Sequence, residues 1–410
     1  MATIDIGKIK QVWRGTYNNG TAYVVDDLVA YTDSGILSTY ICVANSTGNA
    51  PSSSGTAHAS WNYVSKGVAD PVPSQSGNAD KYLTTNGSAA SWAAVPSSAT
   101  NKIINGAMAV QQRGGYTGNT SGYYAADRFY TNMSTDGALS ISGSTNKPDG
   151  FGYSTKWACS TADTSVASGH YSIIQYMFEG QDIQEFAKGS SSAKQFALSF
   201  YVKSLKTGVY TVELEDNDNN RTCSKTFTVA DTNWNRYTLI YPADTTGAIN
   251  FDNAKSLTIN FWLQAGSDFT SGTLATTWGA VSNANRAVGQ VNFLDNTSNE
   301  FYMTGVQLEV GGTVNDFVHE SYNETLNKCL RYYQNRPHNL YGATWNPGHG
   351  TEYGVLSFDL FVPMRTTPTF TYNGLRTSNG VSTNVYSTRV HVFMNSDSPY
   401  GNNFRVDAEL

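Results

Sequence analysis

The chain has 410 residues, 40% of them hydrophobic, which is enough to bury cores in about two to four domains. Charged residues make up only 14%, whereas aromatic residues reach 13% and include 26 tyrosines. The net charge of −6 without a Lys/Arg cluster excludes a basic nucleic-acid footprint, and no apolar run has bilayer-spanning length. A chain rich in Thr and Tyr is predicted to be all-β.

Residues 1–68 are predicted to form a small module. Short alternating runs such as Asp27–Tyr31 and Tyr40–Val43 are separated by glycine-containing turns, which indicates about three strands. A module this small has a thin core, so its aromatic residues either fill that core or stack on sugar rings. The candidate glycan-binding residues here are Trp13, Trp61 and Tyr63.

Residues 69–100 are rich in Pro, Ser, Gly and Ala, which is typical of a linker. Inside it, Lys81–Thr85 and Ala89–Trp92 flank Asn86-Gly87, a strong signal for a two-residue hairpin turn. A two-stranded hairpin is not stable alone in water, so copies from neighbouring chains are expected to cover it, most simply in a homotrimer. The candidate interface residues are Tyr82, Leu83 and Trp92.

Residues 101–320 contain several runs with a period of two. The clearest are Phe196–Lys203, Tyr210–Glu215, Leu257–Leu263 and Tyr302–Val310, the last with Tyr302, Thr304, Val306, Leu308 and Val310 in one set. Such alternation is typical of antiparallel sheets with one buried face. Many runs joined by turn-rich spacers predict a β-sandwich of the jelly-roll kind.

Residues 321–335 are predicted to form one short α-helix. Ser321 and Glu324 form a capping box, apolar residues recur at helical spacing from Leu326 to Tyr333, and Pro337 ends the pattern. Residues 336–410 return to strand-like runs, which form either a separate cap or the closing strands of the sandwich. The predicted fold is therefore all-β, with a three-stranded N-terminal module, a hairpin linker, a jelly roll, one helix and a C-terminal β region.

Aromatic residues are dense after the predicted helix. Tyr341, Trp345 and Tyr353 are candidate glycan-binding residues, because binding surfaces favour Tyr and Trp; alternatively they close the C-terminal fold or a subunit contact. In the loop around Asp216 and Asp218, alternate carboxylates suit Ca²⁺, but the glycine and glutamate of an EF-hand are missing, which favours a solvated hairpin loop.

No catalytic motif is present: the chain has no GxSxG, no P-loop and no dinucleotide fingerprint. We therefore expect no enzymatic activity, no catalytic residue, no metal and no cofactor. The four cysteines are far apart in the sequence and form no CxxC, so each is predicted to be a small buried hydrophobe. They are Cys42, Cys159, Cys223 and Cys329.

Three stretches resemble phage tail-fibre proteins. Ser76–Trp92 is similar to a repeat common in tail fibres and other phage virion proteins. Asn101–Gly114, with Ala126–Phe129 downstream, resembles the start of a carbohydrate-module-like jelly roll found in phage fibres. Gly305–Gly311, with the segments that follow it, resembles the end of that region. The resemblance covers most of residues 75–370.

The first 68 residues resemble a chitin-binding-like module. The residues that match are Trp13, Tyr17, Asp27, Val29, Tyr31, Tyr40 and Trp61. Chitin-binding members of that family carry exposed tryptophans after the position of Tyr40, whereas this chain has Ile41–Asn45 there. The resemblance therefore leaves two roles open, sugar binding and docking to the virion.

Together these resemblances imply a virion protein, a tail fibre or receptor-binding adhesin that contacts other tail or capsid proteins and a host-surface glycan. Because Met1–Lys10 has no apolar signal-peptide core, the protein is expected to be made in the host cytoplasm without a signal peptide. Two alternatives are a head- or tail-decorating protein without a receptor role and a polysaccharide depolymerase.

Overall fold

The computed structural model describes residues 11–68, 72–79, 81–94, 101–336, 340–341, 354–373, 381–394 and 400–410. The chain divides into two compact units, Met1–Ser97 and Ser98–Leu410. Strands make up most of the regular structure of both units, so the chain is all-β, as predicted. Within the described ranges, no helix combines the length and the apolar character that crossing a membrane requires.

The first unit opens with a small sheet. This sheet contains β1 (Val12–Thr16), β2 (Asp27–Asp33), β3 (Ile36–Cys42) and β6 (Trp61–Ser65), whereas β4 (Ser52–Ser53) and β5 (Thr56–Ala57) pair with each other as a separate two-stranded sheet. The predicted three strands correspond to β2, β3 and β6, and β1 adds a fourth by pairing in parallel with β2. The core is largely aromatic, because Tyr23, Tyr40 and Trp61 pack together beside Val29 and Cys42.

The linker hairpin consists of β7 (Lys81–Thr85) and β8 (Ala90–Ala94), which pair with each other as a two-stranded sheet. Thr85 pairs with Ala90, so the connecting loop has four residues and the predicted two-residue Asn-Gly turn is wrong. The Asn86 side chain explains the wider turn, because its Oδ1 accepts hydrogen bonds from the backbone N–H groups of both Ser88 and Ala89, each at 2.9 Å.

The second unit is built around a β-sandwich. Its strands are β9 (Tyr116–Gly118), β10 (Gly122–Tyr123), β11 (Phe129–Ser134), β12 (Ala138–Ser144), β13 (Ser154–Thr161), β14 (Tyr171–Glu179), β15 (Phe196–Ser204), β16 (Gly208–Asp216), β17 (Arg221–Val229), β18 (Asn235–Tyr241), β19 (Lys255–Ala265), β20 (Gly279–Ala280) and β21 (Glu300–Val310). One sheet has the order β10-β11-β14-β19-β16-β17-β20 and the other β18-β15-β21-β13-β12-β9. The chain passes repeatedly from one sheet to the other, which gives the predicted jelly roll.

The main core lies between these two sheets and follows the predicted alternation on most strands. Phe196, Leu198, Phe200 and Val202 of β15 are all buried there, and so are the alternating residues Tyr210, Val212 and Leu214 of β16 and Leu257, Ile259, Phe261 and Leu263 of β19. Cys159 and Cys223 belong to the same core, and all four cysteines are free and buried, as predicted.

Strand β21 departs from the predicted alternation at Gly305. That glycine has a φ of +63°, and the pairing with β15 shifts register there, which is a β-bulge. The extra residue reverses the side-chain parity, so Phe301 and Met303 face the core before the bulge and Val306 and Leu308 after it. The prediction that Tyr302 and Thr304 share a face with Val306 is therefore wrong.

Helix α1 (Ser267–Thr270) is a single turn, and helix α2 (Tyr322–Leu330) begins at the predicted capping box. Short 3₁₀ helices lie at Gly180–Asp182, Gln184–Phe186, Asn283–Asn285 and Phe293–Asp295. Helix α2 ends at Leu330 rather than at residue 335, because the next segment leaves the helix to pair with the last strand of the chain.

The C-terminal strands form sheets of their own in the second unit. They are β22 (Tyr333–Arg336), β23 (Leu340–Tyr341), β24 (Gly354–Asp359), β25 (Thr369–Asn373), β26 (Val381–Val385), β27 (Arg389–Met394) and β28 (Tyr400–Asp407). Strand β28 pairs with β22, β23 and β25, and β27 pairs with β24 and β26. Their small core includes Met364, Val390, Val392, Phe404 and Val406.

Candidate functional site

The outer face of the β22-β28-β25 sheet carries a compact set of polar groups. Tyr333 and Thr369 both pair with Asp407, and two residues away Asn335 and Thr371 both pair with Arg405. Alternate residues of a strand point to the same face, so these six side chains share one. Of the intervening residues, Gln334 and Val406 are buried and Phe370 is half-buried.

The jelly roll supplies a wall beside that face. Gln112 and Arg113 precede β9, and Tyr123 and Tyr124 lie at β10. Together with the six residues of the sheet face, these four line a cavity of about 710 Å³, which we call the tyrosine groove. The groove thus combines phenol rings, amides, hydroxyls and charged groups within one compact unit.

Arg113 holds two of the tyrosine rings in place. Its guanidinium carbon lies 3.7 Å from the ring centre of Tyr333 and 5.1 Å from that of Tyr123. Its Nη2 lies 3.2 Å from an Asp407 oxygen and its Nη1 3.2 Å from a Glu409 oxygen. Since the Arg113 side chain is 8% exposed and already paired with these carboxylates, its role is to position the wall of the groove.

Tyr123 and Tyr124 remain neutral phenols. Burial raises the pKa of Tyr123, and its hydroxyl donates to the Leu410 carbonyl at 3.1 Å. Burial likewise raises the pKa of Tyr124 to about 12. One face of the Tyr124 ring is covered by Tyr116, whose ring centre lies 4.1 Å away at an interplanar angle of 8°. A methyl group added at Gly114, beside these rings, would meet nothing within 4 Å, so the backbone there is open to a ligand.

A second polar cluster, on the outer face of the seven-stranded sheet, is already satisfied internally. The fully buried Glu213 accepts hydrogen bonds from Arg286 at 2.8 Å, Asn260 at 2.9 Å and Thr222 at 2.6 Å. Gln175 then donates to Asn260 at 2.6 Å. Because these partners already satisfy both oxygens of the Glu213 carboxylate, the cluster holds the loop that carries Arg286 against the sheet. It leaves few hydrogen-bonding groups for a ligand.

The structure separates the three aromatic candidates of the N-terminal module. Trp61 is 1% exposed, and its Nε1 donates to the Asn49 carbonyl at 3.1 Å, so its side chain lies in the core of the module. Tyr63 is half-buried against Tyr40, with ring centres 4.5 Å apart. Trp13 is 58% exposed on β1. These residues therefore do not form one continuous stacking platform.

The other predicted sites have different outcomes. Trp345 and Tyr353 lie outside the described residues, and only the backbone of Tyr341 is described, in β23. Tyr82 and Leu83 are 43% and 46% exposed on the hairpin, whereas Trp92 is half-buried. In the Asp216 loop, the Asp216 carboxylate is fully buried and paired with Lys188. The described residues contain no group of three or more His, Cys, Asp or Glu positioned to hold a metal.

Sequence reasoning missed the tyrosine groove. Its residues lie in four segments that are far apart in the chain, and each segment has the sequence of an ordinary strand or turn. The segments are 112–124, 333–335, 369–371 and 405–407. A signal is nevertheless present: on β28, Arg405 and Asp407 alternate with the apolar Phe404 and Val406, which marks one polar face.

No family model matches this sequence, and none of the curated proteins matches it. Among solved structures, it is similar to the family 11 carbohydrate-binding module of Clostridium thermocellum in complex with a β-1,3-1,4-mixed-linked tetrasaccharide. The identity is 12% and the TM-score 0.26, over 49% of this chain and 98% of that one. A CBM4 structure has 14% identity and a TM-score of 0.25, over 51% and 99%. The xylan-binding domain of CBM 22 has 12% identity and a TM-score of 0.24, over 49% and 96%.

Proposed function

We propose that this chain is a non-enzymatic structural and adhesive component of a bacteriophage particle. In this proposal it is a homotrimeric tail fibre or receptor-binding protein that attaches to host-surface glycan through the tyrosine groove. The composition of that groove is the observation that supports glycan attachment. Ligand sites of this kind combine aromatic surface with a few convergent polar groups, which suits the apolar faces and hydroxyl edges of sugars.

The groove has the chemistry that a sugar ring requires. Tyr124 offers half-buried aromatic surface, while Thr369 and Thr371 offer exposed hydroxyls on the facing sheet. Asn335 donates to the Gln112 carbonyl at 3.3 Å, a bond that fixes the amide at the boundary between wall and floor. Because Arg113 already fixes the neighbouring rings, little side-chain entropy would be lost on binding.

The oligomeric part rests on the linker hairpin. Its two strands pair only with each other within the described residues, and they expose Tyr82 and Leu83. A two-stranded ribbon of this size is marginal in water, and three copies would bury the apolar faces that one leaves exposed. Three grooves on one particle would also add avidity to weak single-site binding. The resemblance of Ser76–Trp92 to a phage fibre repeat supports placing the chain in a virion.

Glycan binding is tested with the purified full chain and cells of a candidate host. We expect free protein to block phage adsorption, and Tyr124→Ala to weaken binding to the cell-surface polysaccharide by about tenfold, equivalent to about 1.4 kcal/mol. Tyr153→Ala is the matched control, because Tyr153 is 46% exposed and does not line the groove. Equal binding by both variants would refute the role of the groove.

The same preparation tests the alternatives. Failure of the free protein to block adsorption, together with antibody labelling on the phage head, would favour a decorating protein without a receptor role. Release of reducing sugar ends from the host polysaccharide would contradict the non-enzymatic part and favour a depolymerase.

The trimer is tested by analytical ultracentrifugation at micromolar concentration. We expect the wild-type chain to sediment as a trimer and the double variant Tyr82→Ser/Leu83→Ser to dissociate, because it removes the apolar surface that the copies would share. Phe251→Ser is the control, since Phe251 is 78% exposed elsewhere in the chain. A wild-type chain that sediments as a compact monomer would refute the trimer.

A further inference from the structure

We propose that the tyrosine groove selects sugars that carry an anionic group, a carboxylate or a phosphate, and that Arg405 is the residue that recognises it. This inference rests on the proposed glycan-binding function of the groove and names the class of sugar that it takes.

The two guanidinium groups of the groove have different surroundings. Arg113 lies 3.2 Å from oxygens of Asp407 and Glu409 and 3.7 Å from Asp127. Arg405 is exposed and forms no ion pair within the part of the chain that the structure describes. The carboxylate nearest to it along the strand, Asp407, is committed to Arg113 and also accepts the Glu409 backbone N–H at 3.0 Å. The groove therefore presents one cation whose charge no described carboxylate neutralises.

The position of Arg405 suits recognition of a planar anion. It lies on the middle strand of the sheet face, with Asn335 in register on one side and Thr371 on the other. A guanidinium binds carboxylate or phosphate through two parallel N–H bonds, and flanking amide and hydroxyl groups can serve the adjacent sugar hydroxyls. One residue thus distinguishes a charged sugar from its neutral counterpart.

The charge of the whole chain makes this contact selective. A net charge of −6 repels polyanions at long range, so general electrostatic attraction does not favour an acidic polysaccharide. Preference for such a ligand requires a local contact, and of the groove's cations only Arg405 is not already paired within the described residues.

The test uses the full chain on an array of oligosaccharides in matched pairs. Oligogalacturonate is compared with its carboxyl-reduced, neutral form, and mannose 6-phosphate oligosaccharides with plain mannose oligosaccharides. We expect the wild-type chain to prefer the charged member of at least one pair by about tenfold or more, as for a charge-assisted hydrogen bond. The pair that shows the preference identifies carboxylate or phosphate as the group recognised.

Arg405→Gln is expected to abolish that preference while binding to the neutral sugars persists. Arg389→Gln is the matched control, because Arg389 is also an exposed arginine of the C-terminal region, is paired with Asp359 at 2.6 Å and does not line the groove. If Arg405→Gln fails to fold, competition against the wild-type chain replaces it: free galacturonate should displace the bound oligosaccharide at least tenfold better than galactose.

The outcomes separate this inference from the function on which it rests. Equal wild-type binding to charged and neutral members overturns the anion selectivity and leaves glycan binding in place. Absence of binding to any sugar overturns both. Binding of polyglutamate as tight as that of the charged sugars would also overturn the inference, since recognition would then not involve the sugar.

Discussion

The C-terminal residues of the chain are fastened to the jelly roll by a buried ion pair, which makes a sharp test possible. Arg128 and Glu409 have side chains that are 1% and 4% exposed, and they pair directly. Arg128 also donates to the Met177 carbonyl at 2.8 Å and stacks on Tyr332, with 3.5 Å between its guanidinium carbon and the ring centre. Within the described residues, Glu409 is its only ion-pair partner. We predict that Glu409→Ala is strongly destabilising.

The expected loss of stability in Glu409→Ala follows from the contacts that Arg128 would keep. Without Glu409 it would keep one carbonyl acceptor and the rings of Tyr176 and Tyr332, but no counter-charge for a fully buried guanidinium. Breaking a buried ion pair in this way costs about 3–5 kcal/mol. For a folded unit of about 300 residues, 1 kcal/mol corresponds to about 1.5 °C in Tm, so we expect a decrease of roughly 5–8 °C.

The assay is differential scanning calorimetry of the full chain. Glu320→Ala is the control, because Glu320 pairs with Lys328 where the side chains are 31% and 47% exposed, and it should cost less than about 1 kcal/mol. The double replacement Arg128→Met/Glu409→Leu should be less destabilising than Glu409→Ala, since it removes the buried guanidinium that Glu409→Ala leaves without a carboxylate. Arg113, which also pairs with Glu409, keeps Asp407 and Asp127 in both variants. If Glu409→Ala and Glu320→Ala lower the Tm equally, the reasoning about the buried pair is refuted.

Two further predictions concern Asp127 and Gly305. Burial raises the pKa of Asp127 to about 6, above its unfolded value of about 3.9, so the folded state binds more protons between those values and stability should rise as the pH falls from about 7 to 4. The gain in stability from Asp127 is at most about 3 kcal/mol. Asp127→Asn should therefore flatten the dependence of Tm on pH between about 4 and 7, and an unchanged slope would contradict the role of Asp127. Gly305→Ala should cost about 2–4 kcal/mol in denaturant unfolding, because φ is +63° and the added methyl group would lie 2.7 Å from Phe151 and Tyr201. Gly289→Ala, with a φ of +86° but nothing within 4 Å, isolates the cost of the backbone conformation from that of the contact.

The strands of the jelly roll were predictable because one physical signal determines them. On β15, large apolar residues recur at every second position from Phe196 to Val202, and all four side chains lie in the core between the two sheets. The start of helix α2 was predictable for a similarly local reason, since Ser321 and Glu324 satisfy each other's backbone N–H groups within one turn.

The predictions from the sequence failed where pairing with a distant strand overrides the local sequence pattern. Tyr333 lies at helical spacing from Leu330, yet it is in β22 because the backbone from Tyr333 to Arg336 finds hydrogen-bond partners on β28. Those partners lie some 70 residues further along the chain, so no window around the helix contains them. The bulge at Gly305 is comparable, because its position depends on the register with β15. Local propensity is a weak prior when such pairing competes with it.

The tyrosine groove shows why aromatic density is a poor guide to a binding site in a chain like this one. Tyrosine serves the cores here as much as the surface: Tyr40 and Tyr176 are each 1% exposed. A cluster of aromatics in the sequence therefore does not distinguish a stacking platform from a packed interior. Exposed polar residues on the outer face of a sheet are a better guide, provided that other side chains do not already satisfy them as they satisfy Glu213 and Asn260. Their convergence depends on strand register. Arg405 meets that criterion through its neighbours on β22 and β25, although no aromatic residue adjoins it in the sequence except Phe404, which points into the core.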